Sequence, residues 1–163
     1  MGLLILGAGE HGHAVKEIAR SINNKAFQNI SFLDDNNVEA IGMLKEFQNF
    51  TKEFRYAFVA IGNPIIRKEW SCKISEAGFT VPILIHPNAY VSPSANISKG
   101  CVVFPGAIVQ TNSVLGEGVI LSSGAIVDHD ATIGSYCHIN AGAVISSGTV
   151  LENNTKIDYM QRV

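Results

Sequence analysis

The sequence predicts an α/β domain over residues 1–86 followed by a triangular parallel β-helix over residues 87–163. Two observations predict this division. The first half alternates short apolar segments with segments of helical period, which is typical of a parallel sheet with crossover helices. The second half carries a large aliphatic residue at every sixth position for twelve consecutive steps. Each part is short and is expected to hold one small core.

The six-residue period begins at Val91 and ends at Ile157. Every sixth residue between them is Val, Ile or Leu, and the residue two positions earlier is small in every unit except at Val119. In a triangular β-helix, each six-residue unit forms one flat side, and its aliphatic side chain fills the interior. Three units make one coil, so residues 89–157 predict about four coils. An α-helix, with its shorter period, cannot hold this phase.

The α/β part is predicted to contain four strands and two helices. The strands are expected at residues 3–6, 30–33, 57–61 and 81–85, and the helices at 13–22 and 65–76. Gly78 is expected to end the second helix, because glycine readily adopts the left-handed conformation that often follows a helix. Strands that alternate with helices predict a parallel sheet.

A glycine-rich loop, Gly7-Ala8-Gly9-Glu10-His11-Gly12, joins the first predicted strand to the first helix. Glycine lets the backbone approach a phosphate, and a helix N-terminus favours negative charge. Asp34 and Asp35 follow the second strand, where a carboxylate of a nucleotide-binding fingerprint is expected. The context favours nucleotide binding over a plain tight turn. His11 either contacts a ligand or caps the helix.

The length of the α/β part restricts the nucleotide. A dinucleotide-binding fold contains two mononucleotide-binding halves, and residues 1–86 have room for only one. This Rossmann-like half-domain therefore favours a single nucleotide, such as that of a sugar nucleotide, over NAD.

Two histidines stand out within the repeat. His129 lies two residues after an interior valine, between Asp128 and Asp130, and His138 lies directly before an interior isoleucine. Both are expected to face outward, and for His138 this follows from alternation along the chain. An imidazole, with a pKa near neutrality, suits a base in acyl transfer, and a neighbouring carboxylate can orient it. The alternative is a solvated polar turn.

Charge and composition argue against several other functions. The net charge is -2 and the basic residues are not clustered, which argues against nucleic acid as the main partner. Cys72, Cys101 and Cys137 form no close pair, so neither a disulfide framework nor a structural zinc site is indicated. A zinc-dependent hydratase would need three placed histidines, and the repeat has two, so no metal is expected. No apolar run matches a membrane span, no signal peptide is evident, and the expected location is the cytoplasm.

Several motifs together resemble a known family. They are Gly7-Ala8-Gly9-Glu10-His11-Gly12, Phe32-Leu33-Asp34-Asp35, Ala60-Ile61-Gly62-Asn63 with Arg67-Lys68, His86-Pro87, and Val127-Asp128-His129-Asp130-Ala131-Thr132-Ile133-Gly134. They look like the family of sialic acid O-acetyltransferases and bacterial UDP-4-amino-sugar N-acetyltransferases, the latter acting in bacillosamine-type glycan synthesis. The resemblance spans nearly the whole chain. It implies a left-handed β-helix of hexapeptide repeats, a homotrimer, and acetyl-coenzyme A bound between neighbouring subunits.

The resemblance also implies roles for single residues. The sugar nucleotide is expected to contact Gly9, Glu10, His11, Asp34, Asp35, Ile61 and Gly62. His129 is expected to be the general base and Asp130 the carboxylate that polarises it. His138, Ser147 and Gly148 are expected to bind acetyl-coenzyme A, with the Ser147 amide donating to the thioester oxygen. Family members usually carry further coils that hold coenzyme A, so weak coenzyme A binding is also expected.

Three functions remain open at this point. The first is acetyl transfer from acetyl-coenzyme A to a UDP-linked 4-amino sugar in bacterial glycan biosynthesis. The second is O-acetylation of a sialic acid, which differs in the acceptor atom. The third is a catalytically weak protein that binds a sugar nucleotide.

Overall fold

The computed structural model describes residues 2–22 and 27–163. The chain forms two compact units, Met1–Pro82 and Ile83–Val163. The core of the first unit surrounds three parallel strands, and the core of the second fills the inside of a β-helix. Among the described residues, no helix is both long enough and apolar enough to cross a membrane.

The first unit contains a parallel sheet of three strands. In chain order its elements are β1 (Gly2–Leu6), α1 (Glu10–Ser21), β2 (Asn29–Leu33), a 3₁₀ helix (Leu44–Phe50), β3 (Tyr56–Val59) and α2 (Pro64–Glu76). The strand order is β2–β1–β3. As the central strand, β1 is buried at every position, which accounts for its uninterrupted apolar sequence.

The glycine loop leads directly into α1. The helix begins at Glu10 and not at the predicted residue 13, because the His13 N–H already donates to the Gly9 carbonyl at 3.0 Å. Gly12 lies in this first turn against the carbonyl of Gly7, where an added Cβ atom would clash. The glycine spacing therefore allows the helix to pack closely on the turn after β1.

Both ends of α2 are capped. Asn63 Oδ1 accepts two backbone N–H groups of the first turn, at 3.0 and 3.1 Å. At the other end, Gly78 has a φ of 92°, and the Phe79 N–H donates to the Ile74 carbonyl at 3.1 Å. This arrangement is a Schellman motif, so the predicted role of Gly78 is confirmed.

The predicted fourth strand of this sheet, at residues 81–85, is wrong. Only Leu84–Ile85 is a strand, β4, and it pairs with Val102–Val103 inside the second unit. Ile85 lies six residues before the first predicted repeat position and is in phase with the repeat. Ile83 occupies the position that is small in most later units, which obscured this first side of the β-helix.

The second unit is a triangular β-helix of thirteen two-residue strands. In chain order they are β4 (Leu84–Ile85), β5 (Tyr90–Val91), β6 (Asn96–Ile97), β7 (Val102–Val103), β8 (Ile108–Val109), β9 (Val114–Leu115), β10 (Ile120–Leu121), β11 (Ile126–Val127), β12 (Thr132–Ile133), β13 (His138–Ile139), β14 (Val144–Ile145), β15 (Val150–Leu151) and β16 (Lys156–Ile157). Side one holds β4, β7, β10, β13 and β16, side two holds β5, β8, β11 and β14, and side three holds β6, β9, β12 and β15. Each strand pairs in parallel with the strand one coil away, so the predicted parallel β-helix is confirmed.

The triangular β-helix has the shape of a prism, and the aliphatic and small residues of the repeat fill its interior. Three small interior side chains also donate to a carbonyl fifteen residues later: Cys101 to Gly116 at 3.0 Å, Ser113 to Asp128 at 2.6 Å, and Cys137 to Glu152 at 3.1 Å. Cys101 and Cys137 are fully buried, as is usual for a cysteine that serves as a small packing residue.

Side two of the prism has an apolar outer face. Its outward positions are Tyr90, Ile108, Ile126 and Val144, and all four are at least partly exposed. A contiguous row of apolar side chains in contact with water is a feature of association surfaces.

Candidate active site

His129 and Asp130 lie at the corner between sides two and three, in the turn between β11 and β12. Both side chains are 57% exposed, as the outward prediction requires for His129. His129 Nδ1 is 2.7 Å from Asp130 Oδ2, a short contact typical of a charge-assisted hydrogen bond. The imidazole is therefore paired through Nδ1, which leaves Nε2 available to accept a proton from a substrate.

The surrounding charges set the protonation of this pair. The hydrogen bond that His129 donates to Asp130, helped by the negative charge of Asp128, raises the pKa of His129 above its usual value. Conversely, hydrogen bonds from His129 and Asn112 lower the pKa of the Asp130 carboxyl. Asp130 is therefore a carboxylate at neutral pH, and His129 is a stronger base than a free histidine.

The preceding coil holds this turn in place. The Asp130 N–H donates to the Thr111 carbonyl at 2.9 Å, and the buried Ser113 Oγ donates to the Asp128 carbonyl at 2.6 Å. Within the turn, the His129 N–H donates to Asp128 Oδ1 at 2.8 Å. The backbone at His129 is thus held by the Ser113 hydroxyl inside the β-helix and by two hydrogen bonds at the corner, those of the Asp130 and His129 N–H groups.

The following coil brings Ser147 and Gly148 to the same corner. The Gly148 N–H donates to the His129 carbonyl at 3.1 Å. The neighbouring Ser147 is exposed, and its N–H makes no hydrogen bond to any residue in the described part of the chain. An available backbone N–H beside a base can stabilise a developing oxyanion.

His138 lies elsewhere on the prism. It is the outward residue of β13 on side one, and its Nε2 is 3.3 Å from Ser122 Oγ. In a triangular cross-section, side one is opposite the corner between sides two and three. A single chain therefore does not bring His138 to His129, and a site that uses both needs a second copy of the chain.

The predicted sugar-nucleotide residues meet at one edge of the sheet in the first unit. Gly9, Glu10 and His11 follow β1, Asp34 and Asp35 follow β2, and Ile61 and Gly62 follow β3. Because the three strands are parallel, all of these residues lie at their carboxyl ends, where open α/β sheets bind nucleotides.

Asp34 holds the glycine loop in place. Its Oδ2 accepts the Ala8 N–H at 2.8 Å and its Oδ1 accepts the Asn36 N–H at 2.9 Å, and these hydrogen bonds lower its pKa. The side chain of Asn37 donates to the Ala8 carbonyl at 2.7 Å. Both polar groups of the Ala8 backbone are thus bound by the loop after β2, which fixes the glycine loop from the neighbouring strand.

A cavity of about 430 Å³ lies within the segment that follows β2. Asp34, Asp35 and Glu46 contribute carboxylates to its lining, and Val38 and Met43 contribute exposed apolar side chains. Glu46, Val38 and Met43 were missed in the sequence, because they belong to a segment without periodicity. The mixture of acidic and apolar groups suits a ligand with hydrogen-bond donors and a flat apolar face, such as a nucleotide base.

Arg67 was also missed as a contributor to this edge. It is only 1% exposed, and its Nη1 donates to the carbonyls of Ile61 and Gly62 at 2.9 and 2.7 Å. The guanidinium thus holds the turn after β3 through its two backbone carbonyls. In the sequence, Arg67 appeared only as part of a motif, and nothing local indicated that it would be buried.

Two family models match the chain: the PglD N-terminal domain over residues 2–74 and the bacterial transferase hexapeptide, six repeats, over residues 112–147. The acetyltransferase domain of PglB from Neisseria gonorrhoeae FA1090 is 33% identical, with 99% of this chain and 90% of that chain covered and a TM-score of 0.88. The chain belongs to this family of hexapeptide-repeat sugar acetyltransferases. The same gonococcal domain in complex with acetyl coenzyme A is 31% identical over 98% of this chain and 88% of that one, with a TM-score of 0.75.

A further solved structure, less similar in sequence, shares the fold. PerB from Caulobacter crescentus, in complex with CoA and GDP-perosamine, is 22% identical over 99% of this chain and 91% of that chain, with a TM-score of 0.76. The family assignment made from the sequence is confirmed, and so are the Rossmann-like half-domain, the left-handed β-helix and the enzyme class of sugar acetyltransferase. The roles of single residues stay predictions.

Proposed function

We propose that the protein transfers the acetyl group of acetyl-coenzyme A to the amino group of a UDP-linked 4-amino sugar in bacterial glycan biosynthesis. The observation that carries this proposal is the His129–Asp130 pair, joined at 2.7 Å, with the available Ser147 amide at the same corner one coil on. These two features supply a base and an oxyanion donor side by side, which is what acyl transfer requires. The gonococcal relative, which binds acetyl coenzyme A, supports the donor.

The reaction follows from these roles. The sugar amine attacks the thioester carbonyl carbon, and His129 takes the proton that the nitrogen loses as the C–N bond forms. The negative charge that develops on the carbonyl oxygen is stabilised by the Ser147 N–H. The C–S bond then breaks, the thiolate of coenzyme A leaves, and the protonated His129 returns the proton to it. Asp130 stays ionised and stabilises the imidazolium in between.

A homotrimer with its sites between subunits is part of the proposal. Two observations support it: the apolar row of Tyr90, Ile108, Ile126 and Val144 on side two, and the location of His138 opposite the corner that carries His129. A second copy packed against the prism can bring its His138 to the His129 corner of the first. Because acetyl-coenzyme A and nucleotide sugars are cytoplasmic metabolites, the proposed location is the cytoplasm.

The test of this function is the release of free thiol from acetyl-coenzyme A in the presence of different acceptors. We expect release with a UDP-4-amino sugar and only background release without an acceptor. Release with sialic acid instead would contradict the proposed acceptor and favour O-acetylation. Thiol release with none of the acceptors would contradict the enzymatic proposal and favour a protein that only binds a sugar nucleotide.

The nucleotide is tested separately, by thermal unfolding. At a hundredfold excess over its Kd, UDP or a UDP-sugar is expected to raise the melting temperature of the first unit by about 5 °C or more, since a ligand that binds only the folded state stabilises it. NAD is expected to give no shift. Asp34→Asn is expected to reduce the shift in melting temperature caused by UDP, because its single side-chain oxygen cannot accept both the Ala8 and the Asn36 N–H. Glu117→Gln in the β-helix serves as the control. A shift with NAD and none with UDP would refute the prediction.

A further inference from the structure

Four residues spaced one coil apart form a column along the corner that carries His129: Ser94, Asn112, Asp130 and Gly148. The Asn112 N–H donates to Ser94 Oγ at 3.1 Å, and the Asn112 side-chain amide donates to Asp130 Oδ1 at 3.0 Å. Asp130 in turn holds His129 through its other oxygen, Oδ2. A chain of side-chain contacts therefore runs from Asn112 through Asp130 to the imidazole.

We propose that Asn112 is a positioning residue for catalysis: it fixes the Asp130 carboxylate so that Oδ2 stays on His129. The inference rests on the proposed function, in which His129 is the base. Asn112 touches neither the imidazole nor, in this proposal, the substrate. It acts by restricting the rotation of the carboxylate that orients the base.

The need for such a residue follows from the exposure of the pair. An exposed carboxylate and imidazole gain little from each other in water and lose side-chain entropy when they pair. A carboxylate that is held at one oxygen only can rotate away from its partner. Asn112 and His129 each occupy one oxygen of Asp130, from different coils, and together they fix its plane.

The backbone explains why asparagine suits this position. Asn112 and Asp130 both have a φ of 59°, in the left-handed region, where asparagine and aspartate are the side chains best tolerated after glycine. Among glycine, asparagine and aspartate, only asparagine has a side-chain N–H that can donate to a carboxylate. The position thus combines a backbone requirement with a donor requirement.

The negative charges beside His129 come from its own turn. Asp128 and Asp130 are the carboxylates beside it. The coil before contributes the uncharged Asn112, and the coil after contributes the uncharged Ser147 and Gly148 at this corner. One charged group lies further along: the Arg162 guanidinium, which donates to Ser146 Oγ at 3.3 Å, next to Ser147. A change at Asn112 that frees Asp130 should therefore show directly in the titration of His129.

The test compares Asn112→Gly with Asn154→Gly. Glycine keeps the left-handed backbone and the N–H to Ser94, and removes only the side chain. Asn154 has a φ of 63° in another turn of the β-helix, and its side-chain amide has no hydrogen-bond partner among residues 2–22 and 27–163, so it is a matched control. The readouts are the pKa of His129 by NMR without substrate, the pH profile of kcat, and KM for both substrates.

In Asn112→Gly we expect a lower pKa for His129, because its contact with Asp130 becomes intermittent, and an acidic limb of kcat at lower pH. At its plateau, kcat should fall about three- to tenfold with little change in KM, the usual effect of one lost hydrogen bond. Asn112→Asp keeps the shape but replaces the donor with a second carboxylate that repels Asp130, so it should lower kcat at least as far. Asn154→Gly should leave all three readouts as in the wild type.

The outcomes separate this inference from the proposed function. An unchanged pKa of His129 in Asn112→Gly would overturn the inference, whatever the activity. Full activity in Asn112→Asp would also overturn it, since shape alone would then suffice. A lowered pKa with an unchanged pH profile of kcat would support the coupling between Asn112 and His129 but contradict the role of His129 as the base. A lowered pKa together with a lowered kcat supports both.

Discussion

Replacing His129 with alanine is expected to lower kcat by about 10²- to 10⁴-fold, the usual contribution of a general base. His129 is the imidazole that the structure pairs with a carboxylate at 2.7 Å, beside the available Ser147 amide. Binding of the sugar nucleotide should persist, because its predicted contacts lie in the first unit. Thiol-release kinetics and calorimetry with a UDP-sugar measure the two properties. Near-normal turnover in the variant would exclude His129 as the base.

Asp130→Asn is the graded comparison for this variant. It is expected to cost less than the loss of His129, since Asp130 only orients the ring and raises its pKa. A base acts in its unprotonated form, so wild-type kcat should decline as the pH falls through the raised pKa of His129. In Asp130→Asn, that decline should lie at lower pH. Asp158→Asn, an exposed carboxylate in another turn, should keep the wild-type profile.

Co-assembly of two impaired variants, His129→Ala and His138→Ala, is expected to restore activity. In one chain, His138 lies on the side opposite the His129 corner, so the proposed site takes one histidine from each of two copies. In trimers assembled at random from equal amounts, about a quarter of the sites would contain both intact histidines. Co-expression with two affinity tags isolates the mixed trimers for kinetic measurement.

The control for this experiment is the mixture of His129→Ala with Asp130→Asn. Both changes lie at the same corner, so mixing creates no site with the two residues intact, and the activity should equal the mean of the two variants. A mixture of His129→Ala with His138→Ala that is no more active than its components would refute the intersubunit site. A stable monomer by light scattering would refute it as well.

The repeat could be predicted from the sequence almost completely, because the prism interior tolerates little variation. Each six-residue side must place an aliphatic side chain inside, so the period appears in the sequence without interruption. The side formed by Leu84–Ile85 was the exception. Its bulky Ile83 stands where later units are mostly small, and the strand was therefore assigned to the wrong sheet.

The site could be predicted in part. His129, Asp130 and Ser147 share a corner, as their spacing of one coil or less indicates. The separation of His129 from His138 also follows from spacing, since nine residues (138 minus 129) equal one and a half sides. The buried Arg67 and the contact between Asn112 and Asp130 could not be predicted, because both depend on side-chain conformations that no local pattern specifies.

The parallel pairing of successive coils fixes a distance in the candidate active site. Neighbouring strands in a sheet lie about 4.8 Å apart, and His129 and Ser147 are one coil apart on the same corner. The gap between the proposed base and the proposed oxyanion donor is therefore set by backbone hydrogen bonds and not by side-chain packing. An insertion of one whole coil elsewhere would leave this gap unchanged, whereas the loss of a single residue between them would turn Ser147 away from the corner.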